Sequence, residues 1–89
     1  IIEAVSEYFN MEYSSLTGPR GRKEVALARQ IAMHLIKTDT NLGPTAIGQV
    51  LGGKNHSTVI KNCAKISQQL NTDLTLQRDI SNIRNLISS

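Results

Sequence analysis

Two adjacent glycines, Gly52 and Gly53, divide a short apolar segment from a longer one, and no other feature limits the fold so tightly. Beyond them, Val59, Cys63, Ile66 and Leu70 recur at the spacing of a single helix face. Before them, Pro44 suits the first turn of a helix because its fixed φ is already helical. Ile47, Val50 and Leu51 give that helix an apolar side. Glycine takes left-handed dihedrals without a Cβ penalty, so the pair ends the first helix. The second is expected from Asn55 or His56 to Gln69 or Leu70, with Asn55 as its N-cap. A short helix, a glycine turn and a longer helix over about residues 44–70 make a helix-turn-helix, whose second helix enters the DNA major groove.

The remaining chain also reads as helix. Ile2, Val5 and Phe9 share a face that stops near Asn10. Residues 11–21 mix Met11 and Leu16 with serines, glycines and Pro19, which predicts a loop with at most one helical turn anchored by Leu16. A helix follows from about Lys23 to Lys37, striped by Val25, Ala28, Ala32, Leu35 and Ile36. After a turn at 71–73, Leu76, Ile80, Ile83 and Ile87 form the inward face of a last helix. The expectation is one all-α domain over residues 1–89, a small helical bundle containing the helix-turn-helix.

Composition excludes several classes. The chain has 89 residues, enough for one small domain. With no Trp and one Phe, its core must come from aliphatic residues. No apolar run approaches the length of about 18 residues that a membrane span needs. A lone cysteine, Cys63, cannot form an internal disulfide and reads as a small core residue. These features point to the cytosol. His34 and His56 lack cysteine or carboxylate partners at ligand spacing, so no metal site is expected, and His34 reads as a surface or half-buried helix residue. No arrangement of nucleophile and base stands out.

Charge is more informative. Residues 20–65 carry eight Lys/Arg against two acids, whereas the flanks are net acidic. Charge gathered in the middle of a small domain suits a polyanion, although an ordinary solvated face would show the same count. The glycine turn decides more. A phosphate-cradling P-loop requires a preceding strand and a longer loop ending in Lys-Ser/Thr. Here a helix precedes, and Lys54 follows the glycines directly. Asn55, His56, Ser57 and Thr58 stand where a recognition helix reads base edges, with Lys54 and Lys61 flanking them toward phosphates. Capping alone explains one or two polar residues, not four in a row beside two lysines.

The stretches GGKNHSTV and ARQIAMHL together resemble the C-terminal DNA-binding domain of the DnaA family of bacterial replication initiators. The usual family pattern is GGRDHTTV preceded by PRQIAMYL at the same separation, and the likeness covers essentially the whole chain. It implies a Trp-repressor-like helical bundle that binds double-stranded DNA at boxes resembling TTATNCACA, in the bacterial cytoplasm at the nucleoid. Intact members carry an AAA+ module using ATP or ADP with Mg, and assemble with other DnaA molecules. This chain shows no such module, so it reads as an isolated, non-enzymatic domain that needs no cofactor.

Matching positions imply that Asn55, His56 and Ser57 read bases. Thr58, Lys54, Arg29, Gln30 and Lys37 would lie at phosphates, with Lys61 alongside. Asn55 stands where the family has Asp, Ser57 where it has Thr, Ala28 where Pro often occurs, and GPTAIG replaces SLPEIG. A gapless alignment puts Gly21 at the family's minor-groove arginine, between Arg20 and Arg22. Narrow A/T-rich minor grooves attract arginine. Arg20, with more reach, is therefore assigned to the minor groove, and Arg22, beside the helix start, to the backbone. A Trp-repressor-like regulator and a helical module whose basic face meets an acidic protein are the alternatives.

Overall fold

The computed structural model describes residues 1–19 and 21–89. Among them are six helices, α1 (Ile2–Tyr8), α2 (Tyr13–Thr17), α3 (Lys23–Asp39), α4 (Pro44–Val50), α5 (His56–Gln69) and α6 (Leu74–Ser88), and no strand. The all-α expectation holds. Arg20 lies outside the described residues.

α3 is the axis of the fold. Every residue from Ile31 to Ile36 is buried, so this stretch is covered all round rather than along one stripe. α1, α2, α4 and α5 all pack against it. The covering includes His34, only 6% exposed, which corrects its reading as a surface or half-buried residue. Its Nδ1 has no hydrogen-bond partner.

Burial lowers the His34 pKa, the nearby Arg84 and Lys37 cations act the same way, and Asp39 opposes them. The unfolded chain titrates at the ordinary value of about 6.5. Between the two values the unfolded state binds the extra proton. The stability this group contributes is therefore complete above about pH 6.5 and drains away as pH falls. Urea midpoints measured from pH 7.5 to 5.5 should drop. His34→Tyr, which restores the residue of the PRQIAMYL pattern, should flatten that drop.

The α5 stripe is as expected, with Val59, Cys63 and Ile66 buried and Leu70 half-buried. Leu16 is fully buried and anchors α2, the one helical turn foreseen in the loop. Ile87 departs from its expected inward position and is 42% exposed, as is Leu86 at 37%. α6 packs on α1, which has 7 residues against its own 15, so α1 cannot cover the full length. Polar ties fix α6 elsewhere. Tyr8 Oη donates to Asp79 Oδ1 at 2.7 Å, and Arg84 forks onto the Asp39 carboxylate at 3.0 and 3.2 Å. That guanidinium holds the Asp39 carboxyl below its usual pKa.

Helix ends follow local chemistry. Asn10 adopts a left-handed φ of 55° after α1. The Asn10 N–H then donates to Glu7 O at 3.1 Å, and the Met11 N–H donates to Ser6 O at 2.8 Å. This is a Schellman closure, built on the residue other than glycine that best tolerates that conformation.

Candidate nucleic-acid interface

The turn after α4 repeats the Schellman closure with glycine. Gly52 has φ +85°, its N–H donates to Gln49 O at 3.2 Å, and the Gly53 N–H donates to Gly48 O at 2.9 Å. The Lys54 N–H donates to the same Gly48 oxygen at 2.8 Å. The amides that a phosphate cradle would use are thus spent inside the turn. The residues here do not fit a nucleotide, and the P-loop alternative fails on geometry as well as on sequence. Gly48 must itself be glycine, since a Cβ there would lie 2.1 Å from Lys54 O.

α5 leaves this turn with its first residues in solvent. Asn55 is the N-cap, its Oδ1 accepting from the Ser57 N–H at 2.8 Å. Asn55, His56, Ser57 and Thr58 are all exposed, as is Lys61 one turn on. None of these side chains is needed by the core, which α5 meets through Val59, Cys63 and Ile66. The face carries amide, imidazole, hydroxyl and ammonium groups at a helix N-terminus, where backbone N–H groups and the helix dipole add attraction for anions. Ile60 is 53% exposed beside them, an apolar side chain outside the core stripe that apolar periodicity does not single out.

The other candidates lie in four places. Lys37 is exposed beside α5, where it lines a small cleft with Leu42, Pro44 and Ile60. Gln30 is half-buried and lines a different cleft of about 410 Å³, between α3, the distal half of α5 and α6, with Lys23 and Lys65. It is not brought together with Asn55–Lys61. Arg22 is exposed at the start of α3.

Arg29 and Lys54 face backbone oxygens. Arg29 Nε donates to Leu16 O at 2.9 Å, and Nη2 donates to Ser15 O at 2.7 Å. Lys54 Nζ donates to Gly18 O, with Thr17 O at 3.5 Å. The four oxygens are those left open at the end of the five-residue helix α2. Cations are the complementary partners for a helix C-terminus. Desolvation at this seat lowers the Lys54 pKa, with a smaller effect from the Arg29 charge.

Gly21, which the gapless alignment sets opposite the family's minor-groove arginine, is exposed but lies close against Val25. A Cβ there would lie 2.5 Å from Val25 Cγ1, so a side chain fits only if Val25 moves. Any groove-reading arginine of this arm must come from a flanking residue.

No helix among the described residues is long and apolar enough to cross a membrane. Nor does any group of three His, Cys, Asp or Glu among them suit a metal.

Comparison with known proteins adds a family. The bacterial DnaA protein helix-turn-helix family matches residues 1–66. Chromosomal replication initiator protein DnaA of Crocosphaera subtropica is 40% identical over 99% of this chain and 19% of its own length. Those of Thermomicrobium roseum and Treponema pallidum are 38% and 39% identical over 94% and 98% of this chain. The chain spans 18–19% of the length of these curated relatives. With both the helix-turn-helix and the family match in place, the chain belongs to the bacterial DnaA helix-turn-helix family.

Proposed function

We propose that this domain binds duplex DNA sequence-specifically at DnaA boxes of a bacterial replication origin. The observation that carries this reading is the exposed Asn55–Thr58 run at the start of α5, held clear of the core by the glycine turn. A helix N-terminus of this width fits the major groove, and its side chains match the hydrogen-bonding pattern of base edges. Lys61, Lys37, Arg22 and Thr58 supply backbone contacts around it, with Gln30 the most remote candidate. Arg20 is the proposed minor-groove reader. The domain's task is placement. In an intact initiator, ATP-dependent assembly through other domains would then open the origin, with copies of the same protein as partners.

The test is an anisotropy titration with a duplex containing TTATNCACA and with a scrambled duplex, across salt. Box preference is expected, with log K falling against log salt at roughly −0.9 for each neutralised phosphate. Preference for another sequence would favour a Trp-repressor-like regulator. A flat salt response and no preference would favour a protein-interaction module.

Asn55 carries a prediction about selectivity. Its Oδ1 already accepts from the Ser57 N–H, leaving the amide NH₂ as its group for the groove. Aspartate caps equally well, adds a negative charge where the helix dipole favours one, and can only accept, as the cytosine amino group requires. Asn55→Asp should raise the thermal midpoint slightly, sharpen the preference for cytosine at its step and weaken binding to scrambled DNA. Box variants at that step check it, and an unchanged base preference would count against Asn55 as a reader.

A further inference from the structure

The two elements proposed to read DNA are far apart in sequence, yet the structure joins them through one side chain. Lys54 immediately precedes the N-cap of α5. Its Nζ donates to the oxygen of Gly18, where the chain leaves α2 for the arm of residues 18–22. The turn itself rests on the same point, since a Cβ on Gly52 would lie 1.8 Å from Thr17 O. Arg29 secures the other side of the seat through Leu16 O and Ser15 O. The root of the arm is therefore clamped between the glycine turn and α3.

We propose that Lys54 is a positioning residue that sets the register between the minor-groove arm and the major-groove helix, acting through the Gly18 and Thr17 carbonyls rather than through a DNA phosphate. The inference rests on the box-binding function proposed above and deepens it. A side chain bound at the arm root fixes how far the arm lies from His56 and Ser57, and so which base steps the two can meet at once. With the bond gone, α5 still enters the major groove, but the arm no longer arrives at a defined step. Discrimination should then be lost at one end of the box only. A phosphate contact would behave differently, because it contributes to every sequence alike and to the salt slope.

The experiment compares wild type, Lys54→Met, Lys54→Gln and Lys54→Arg, each checked for a cooperative thermal transition. Affinities are measured on box duplexes altered at the A/T-rich end or at the α5-contacted end, and on scrambled DNA, over a salt series. For Lys54→Met and Lys54→Gln, discrimination at the A/T-rich end, about tenfold for a base step, should fall toward unity. Discrimination at the other end and the salt slope should stay at wild-type values. Lys54→Arg should restore the A/T-end discrimination. The glutamine variant keeps a side-chain donor, so the comparison survives if the methionine variant folds poorly. A slope shallower by roughly 0.9 with both discriminations intact would make Lys54 a phosphate contact and overturn the proposal. Equal loss at both ends would make its role generally structural, which also overturns it. No box preference in the wild type would instead defeat the functional reading beneath it.

Discussion

Gly52→Ala should destabilise the domain by about 3 kcal/mol, lowering its thermal midpoint by roughly 12–24 °C for a chain of this size. Two costs combine. The residue sits at φ +85°, where a Cβ is strained, and that Cβ would lie 1.8 Å from the Thr17 carbonyl oxygen. The obstacle is backbone, so no rotamer change relieves it, and the turn must lift off α2. Gly53 provides an internal control. It has the same φ of +85°, but a Cβ there would meet nothing within 4 Å. Only the conformational cost of about 1–2 kcal/mol then applies. Thermal unfolding followed by circular dichroism should rank Gly52→Ala well below Gly53→Ala. Equal midpoints would mean that the turn does not rest on α2 as described.

His56→Ala should have the largest effect on recognition, about 1–3 kcal/mol on box binding, while leaving stability and scrambled-DNA binding nearly unchanged. His56 is exposed at the first position of α5, and none of its polar atoms is committed to the core. On the proposed reading, removing it strips a base-edge partner without opening a cavity or freeing a buried group. The same substitution should leave the salt slope intact, because a base contact releases no counterion. Competition titrations against scrambled duplex separate the two quantities, and a parallel loss on both duplexes would assign His56 to the backbone.

The helix-turn-helix is legible in the sequence because its determinants are local. Pro44, the glycine pair and the Asn55 cap each dictate backbone geometry within a few residues. Apolar periodicity likewise locates the buried faces of α5 and most of α6. It fails at Ile87 because periodicity says which side of a helix is apolar, not how far a neighbouring helix reaches along it. The burial of His34 is hidden for a related reason. α3 is covered on all sides from Ile31 to Ile36, so the one polar residue of that stretch is buried with the rest, and no pattern within α3 reports the coverage.

The carbonyl seat is the least readable feature. Every residue has a carbonyl oxygen, so nothing in the sequence marks Ser15, Leu16, Thr17 and Gly18 as acceptors. Arg29 and Lys54 stand out in the sequence as cations suited to phosphate, whereas the backbone oxygens they meet do not. The demands on Gly48 and Gly21 are hidden similarly. Gly48 is required by the close approach of the Lys54 backbone oxygen, whereas Gly21 meets the side chain of Val25, which must shift to admit any other residue.

On the proposed function, the start of α5 and the arm before α3 form the DNA face. Amide chemical-shift mapping of the labelled domain on a box duplex tests it most directly. The largest perturbations are expected at residues 54–61, 18 and 20–22, with α1, α6 and the far side of the cleft, around Lys65 and Gln69, little changed. Perturbations centred on that cleft, with residues 54–61 silent, would contradict it.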